Sequence, residues 1–181
     1  MSFGSWLIDE AVPAGGLGPS EGPRVVDRHV ADSVVFAGPL GDRPVVGHLV
    51  DLGSGVGLPG IPLAIVMPTV AVTLLDRSQR RCDLARRAIR VLNIQNADVM
   101  QRDFAEPGRT WDAATMRAVL RLETAVPAVL KVLGPGGVGI LGLRRETMVE
   151  APDVGALDCD VVTVPAEVLD STVTLLRMRR P

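Results

Sequence analysis

Short apolar runs alternate with stretches of helically spaced apolar positions along this chain of 181 residues. Val45-Val46-Gly47-His48-Leu49-Val50 reads as a buried strand, and Ile61 to Val66 as the start of a helix. Val70 to Leu75 is a second strand. A long helix follows from Ser78, a plausible N-cap, to about Leu92, with Leu84, Ala88, Val91 and Leu92 as its apolar stripe. Further strands are read at Ala97–Met100 and Trp111–Met116, and a helix at Leu122–Leu133 with Pro127 as its weak point. Gly134-Pro135-Gly136-Gly137 predicts a turn into a fifth strand, Val138–Leu143. Asp160–Val164 and Ser171–Leu176 predict two more strands, paired antiparallel at the edge. Ahead of all these, Arg24–Phe36 has helical spacing and is ended by Gly38-Pro39. Met1 to Pro23 is rich in Gly and Pro and reads as irregular, with Trp6-Leu7-Ile8 docking as a short helix. Strands alternating with helices predict an α/β protein with a doubly wound, mostly parallel Rossmann-like sheet and an antiparallel edge strand. Residues 24–181 form one domain in this reading, and residues 1–23 a separate N-terminal segment.

The densest chemistry lies at Asp51-Leu52-Gly53-Ser54-Gly55-Val56-Gly57-Leu58-Pro59-Gly60, between the first strand and its helix. Glycine at alternate positions at the end of a strand lets a ligand approach the backbone closely. The second strand ends in Asp76, where a nucleoside-binding fold holds ribose hydroxyls. Two ligands fit: a dinucleotide and S-adenosylmethionine. The dinucleotide fingerprint places a third glycine three residues after the second. Counted from Gly53 and Gly55, that position is Leu58, and the strict match fails. Asp51 would repel a pyrophosphate and attract the ammonium of S-adenosylmethionine, directly or through water. An ordinary Gly/Pro-rich strand-to-helix turn is the plain alternative.

Composition narrows the classes further. The chain is 47% hydrophobic, enough for a real core, and no segment has the length of a membrane-spanning helix. With no signal pattern at the N-terminus, a cytoplasmic location is expected. Cys82 and Cys159 lack metal or disulfide spacing, and Cys82 reads as a reduced packing residue. A net charge of −2 supplies no global attraction for nucleic acid. Arginines nevertheless cluster at Arg77, Arg80, Arg81, Arg86, Arg87 and Arg90, at Arg144-Arg145, and at Arg177, Arg179 and Arg180. These are either solvated faces or phosphate contacts. Aromatic residues make up only 3% and tyrosine is absent, which argues against base-stacking platforms.

Arg117, at the end of the fourth strand, can bind a phosphate, a guanine O6/N7 edge or a methionine carboxylate, or form a structural ion pair. His29 and Asp32 lie three apart on one helix face, placed for capping and interhelix bonds or for the ligand pocket. His48 reads as an edge residue without a role. Asp103 and Glu106 either contact an adenosine or sit in a solvated turn. No Asn-Pro-Pro-aromatic motif points to an exocyclic amine as methyl acceptor, and no Pro-Cys nucleophile points to pyrimidine C5.

Four segments resemble the RsmG (GidB) family of small-subunit rRNA methyltransferases. His29-Val30-Ala31-Asp32-Ser33 is similar to its H-x-x-D-S helix, and Val50 to Ala64 to its S-adenosylmethionine loop almost letter for letter. Leu74 to Cys82 resembles its second-strand tip and basic helix start, and Asp112 to Ala118 its fourth strand. Gly134-Pro135-Gly136-Gly137 then falls where expected. The likeness implies a class I methyltransferase fold, S-adenosyl-L-methionine as cofactor, and transfer of a methyl group to N7 of a guanine in 16S rRNA, with small-subunit rRNA or the 30S particle as partner. It places the cofactor on Asp51, Gly53, Ser54, Gly55, Gly57 and Leu58 of the glycine loop. Asp76 and Arg77 hold the ribose end, and Phe104 and Ala105 the adenine side. Arg117 faces both cofactor and substrate as the catalytic candidate. The chain departs from the family at four points, one being that Met1 to Pro23 looks unlike the family's longer N-terminal helical region with its Asn-Leu-Thr stretch. Ala105 replaces an acid, Arg121 stands near the place of a proline, and the family's lysine near the fifth strand's end falls on Leu143 or Arg144. A relative with a small-molecule acceptor and a non-catalytic partner-binding module are the alternatives. Neither a membrane partner nor a metal site is expected.

Overall fold

A computed structural model describes residues 1–41, 47–117, 120–143, 158–169 and 171–181. Seven strands form one sheet: β1 (His48–Leu52), β2 (Ala71–Asp76), β3 (Ala97–Gln101), β4 (Trp111–Arg117), β5 (Leu133–Gly142), β6 (Cys159–Val164) and β7 (Val173–Arg179). Their order is β3-β2-β1-β4-β5-β7-β6. Neighbours from β3 through β5 pair in parallel, while β7 runs antiparallel to both β5 and β6. The reversed strand therefore sits one place in from the edge, with β6 outermost. The chain winds outward from β1 to β3 and then returns to place β4 on the other side of β1. Connections that leave two adjacent parallel strands in opposite directions open a crevice at their carboxyl ends, and that crevice positions the site.

The central strands β1, β2 and β4 are largely apolar because both faces of the sheet are covered there. Leu49, Val72, Leu74, Ala113, Ile140 and Leu175 face one core. Val50, Leu52, Leu75, Ala114, Met116, Leu141 and Leu176 face the other. The period of two along each strand sorts the side chains between the two layers. Val45 and Val46, read with the first strand, lie outside the described residues, and the strand instead extends through Asp51 to Leu52.

The helices in chain order are α1 (Phe3–Trp6), α2 (Ala31–Val34), α3 (Ala37–Gly41), α4 (Gly60–Val66), α5 (Gln79–Val91) and α6 (Leu122–Val132). Wider π-type turns continue α1 to Ala11 and lead into α2 from Val25. The N-terminal stretch is therefore not irregular throughout. Phe3, Trp6, Leu7 and Ala11 are all buried, at a spacing that covers one helical face, and the Phe3 and Trp6 rings stack 6.0 Å apart. Ile8, by contrast, points outward. The helical run ends in a turn at Val35–Phe36, and Gly38-Pro39 lies instead within the next short helix, α3.

Ser78 caps α5, its hydroxyl accepting from the Arg81 N–H. The buried stripe of α5 is Cys82, Ala85 and Ala88 rather than the larger residues, so the helix lies close on the sheet, and Val91 is left exposed. Cys82 is a free, buried thiol that donates to the Asp76 carbonyl. α6 passes through Pro127 without a break. Gly134–Gly137 is a bulge inside β5 rather than a turn ahead of it. The register with β4 jumps from Trp111↔Leu133 to Ala113↔Val138 there, and Gly136 takes a φ of 71°.

Candidate active site

The site begins where β1 ends. Gly53 and Gly55 adopt φ values of 66° and 59°, which only glycine enters without strain. The loop is tied down by the N–H groups of Gly53 and Ser54, which both donate to the Leu75 carbonyl of β2. Asp51 is fully buried beneath it. One carboxylate oxygen accepts from the Gly60 N–H at 2.8 Å and the other from the Thr115 hydroxyl at 3.0 Å. Burial pushes its pKa up to about 7, against the pull of those two bonds and of Arg117. Asp51 thus joins the loop to the start of α4 and to β4. It is not on the wall of the cavity described below, so an ammonium group in that cavity would meet it only through intervening atoms.

Asp76 closes β2, nine-tenths or more buried. Its Oδ2 accepts from the Gly55 N–H at 3.0 Å and its Oδ1 from the Ser78 N–H at 2.8 Å. Arg81 approaches the same carboxylate at 3.8 Å. The carboxylate is therefore held in one orientation at the mouth of the crevice, between the glycine loop and the first turn of α5.

Arg117 closes β4 on the opposite side. Its Nη1 donates to the His29 carbonyl and to Ser33 Oγ, both at 3.2 Å. Burial lowers its pKa, while Asp51 and Asp32 oppose that shift. The segment from Val25 to Val34 is thus docked onto the sheet through an arginine at the strand end. His29 turns its Nε2 to Glu21 Oε2 at 2.8 Å. That hydrogen bond is the main cause holding the Glu21 carboxyl below its ordinary range.

These elements enclose a cavity of ≈ 770 Å³ at the carboxyl ends of β1, β2, β4 and β5. Among the residues read from the sequence, Gly53, Ser54, Gly55, Leu58, Asp76, Arg77, Phe104 and Arg117 line it, as do His29 and Asp32. Asp51, Gly57 and Ala105 do not. Gly57 faces inward, where a Cβ would run into Ile61. Ala105 instead spends its N–H on Asp103 Oδ1 within the turn after β3. Asp103 and Glu106 lie off the wall as well. Sequence reading missed Leu17, Arg28, Phe36, Gly142 and Thr172, all of which line the cavity. Arg28 had a signal, since it adjoins His29 in the motif helix. Gly142 pairs with Arg117 in the β4–β5 register, and a Cβ there would stand 2.9 Å from the Phe36 ring. Arg144 lies outside the described residues.

Seven strands in this order, a glycine loop after the first and an acid after the second define a class I, S-adenosylmethionine-dependent methyltransferase fold. The fold is similar to magnesium protoporphyrin IX methyltransferase from Synechocystis PCC 6803, solved with bound SAM, with a TM-score of 0.69 at 18% identity over 98% of this chain and 94% of that one. It is also similar to the N-methyltransferase NodS from Bradyrhizobium japonicum WM9, solved with S-adenosyl-l-homocysteine, with a TM-score of 0.59 at 18% identity over 83% and 86% of the two chains.

At the level of sequence, residues 11–151 match the model of the GidB family, rRNA small subunit methyltransferase G. The chain belongs to that family. It is 32% identical to the Ribosomal RNA small subunit methyltransferase G of Mycobacterium sp. (strain KMS), covering 98% of this chain and 83% of the relative. The protein of that name from Mycobacterium avium (strain 104) is 36% identical over 93% and 72% of the two chains.

Proposed function

We propose that this chain transfers a methyl group from S-adenosylmethionine to N7 of a guanine in 16S rRNA, presented on the 30S particle in the cytoplasm. The observation that carries the reading is the Asp76 carboxylate, oriented by Gly55 at the mouth of a cavity whose far wall is Arg117. Membership of the GidB family supports the rRNA acceptor.

The residues present fit the cofactor. Asp76 offers oriented acceptor lone pairs to a pair of ribose hydroxyls. The Ser54 hydroxyl is buried on the cavity wall and has no hydrogen-bond partner among the described residues, so it is available to a polar ligand atom there. A Cβ built on Gly55 would meet nothing within 4 Å, so the loop leaves open space on that side. Phe104 supplies an apolar surface after β3 for a flat base. When bound, S-adenosylmethionine supplies a methyl group on a positively charged sulfur, already activated for transfer.

The chain's own residues then have to align donor and acceptor and keep water out. Guanine N7 carries a free lone pair, so no group need remove a proton before transfer. Arg117, anchored at both ends of its reach by β4 and by His29 and Ser33, holds its guanidinium still at the boundary between cofactor and acceptor. Fixed N–H groups on that side can engage the O6/N7 edge of a guanine or the phosphate next to it.

Labelled S-adenosylmethionine and 30S particles lacking the modification test the reading. The expected result is incorporation into 16S rRNA, recovered as 7-methylguanosine after digestion, blocked by S-adenosylhomocysteine. A folded protein that binds S-adenosylhomocysteine yet labels neither 30S particles nor naked 16S rRNA would overturn it.

A further inference from the structure

We propose that Arg80 and Arg87 of α5 are positioning residues for the cofactor, latching the segment Glu10–Leu17 in place as one wall of its cavity. This rests on the reading that the cavity takes S-adenosylmethionine. It gives two exposed members of the arginine cluster a contact within the protein itself, in place of a solvated face or a phosphate contact.

The segment is anchored upstream by Trp6, Leu7 and Ala11, all fully buried. Downstream, Gly16 and Leu17 stand on the cavity wall. Between anchor and wall, two arginines seven residues apart on one face of α5 hold it. Arg87 Nη2 meets Glu10 Oε2 at 2.9 Å. The Arg80 guanidinium donates to the Ala14 carbonyl and lies across Gly15, where a Cβ would stand 2.7 Å from Arg80 Nη2. Gly15 also has a φ of 68°, so the chain turns there to deliver Gly16 to the wall. Gly16 closes a bond to the Ala11 carbonyl at 2.7 Å. It packs so tightly that a Cβ would collide with Val56 and approach Leu84 to 3.2 Å.

Val56 is the link to function. It follows Gly55, whose N–H orients Asp76. A latched segment presses on the glycine loop beside the residue that fixes the ribose acceptor, and a released one leaves Val56 uncovered and opens the cavity at that end. Other arginines of α5 are placed differently. Arg86 pairs with Asp83 on its own helix, and Arg81 lines the cavity.

The test is calorimetric titration with S-adenosylhomocysteine, together with the salt dependence of 30S binding, on the full chain. Arg80→Ala is expected to weaken S-adenosylhomocysteine binding on the order of 5- to 10-fold. The single charge reversals Glu10→Arg and Arg87→Glu each weaken it about 3-fold, and the double reversal restores it. KM for S-adenosylmethionine rises while KM for 30S particles and the salt slope of RNA binding stay unchanged. Restoration by the double reversal separates a latch from general damage to the fold. Unchanged S-adenosylhomocysteine affinity in Arg80→Ala, or a double reversal no better than the singles, overturns the proposal. So does a salt slope that falls by about one per arginine removed, because those arginines then contact phosphate. Absence of binding in the unaltered protein would instead remove the methyltransferase reading, and the latch with it.

Discussion

The backbone N–H of Gly55 donates to the Asp76 carboxylate at 3.0 Å across a separation of 21 residues. That bond joins the glycine loop of β1 to the acid of β2, and it settles which way the acid faces. A carboxylate on a free side chain would rotate toward water. Here both oxygens already hold a backbone N–H, and the residue still lines the crevice with acceptor capacity to spare. Asp76→Ala should therefore lower S-adenosylhomocysteine affinity on the order of 100-fold, the loss of two hydrogen bonds to a charged acceptor. Calorimetric titration measures it. An affinity within threefold or so of the unaltered protein would place the ribose elsewhere.

Ser54→Ala should trade function against stability. Ser54 is 2% exposed and its hydroxyl has no protein partner among the described residues. Removing it should stabilise the ligand-free protein by about 1 kcal/mol and weaken the cofactor about tenfold. Thermal unfolding with and without S-adenosylhomocysteine reads both effects in one experiment. A destabilised variant would show that the hydroxyl has a partner in the ligand-free protein.

The buried Asp51 makes stability depend on pH. Its folded-state pKa is raised to about 7 from 3.8, with burial the leading cause. Between those values the folded protein retains a proton that the unfolded chain has released, so stability contributed by the neutral acid is full below about pH 4 and is lost as pH rises toward 7. Asp51→Asn keeps a neutral amide in that place. The stability of the unaltered protein relative to Asp51→Asn should decline from pH 4.5 to pH 7.5, followed by urea unfolding at each pH. A difference independent of pH, or one that grows with pH, would contradict the raised pKa.

Trp6 tests whether the N-terminal segment is part of the folded unit. It is fully buried and stacked on Phe3, within the same core as Leu49 and Leu74. Trp6→Ala should destabilise the protein by about 3–5 kcal/mol, the range for removing a large buried aromatic side chain. Denaturant unfolding of the full chain decides. A change under about 1 kcal/mol would mean that the segment docks only loosely.

Much of this architecture is written in local patterning. The period of two in Leu49-Val50 and Leu74-Leu75, the cap at Ser78 and the acid at Asp76 each depend on neighbours within a few residues. The glycine loop is likewise legible, because positive φ values at Gly53 and Gly55 are a property of the residue type. Misreadings arose where composition and geometry diverge. Gly and Pro in residues 1–23 mask how far the helix read at Trp6-Leu7-Ile8 extends, to a buried face that includes Phe3 and Ala11, and Gly134–Gly137 becomes a bulge because β4 continues to pair beyond it.

Which charged residues reach the cavity could be settled only by the packed chain. Asp51 and Asp76 both follow apolar runs, yet Thr115 and Gly60 cover the first while the second opens to the crevice. Arg81 lines the cavity, while Arg80 and Arg87 on the same basic helix bind the N-terminal segment. Arg28 lies on the wall beside His29, whose carbonyl Arg117 holds at the end of β4. Strand and helix periods say which face a side chain occupies. They do not say what lies opposite, because partners 64, 66 or 88 residues distant are brought there by the winding of the sheet.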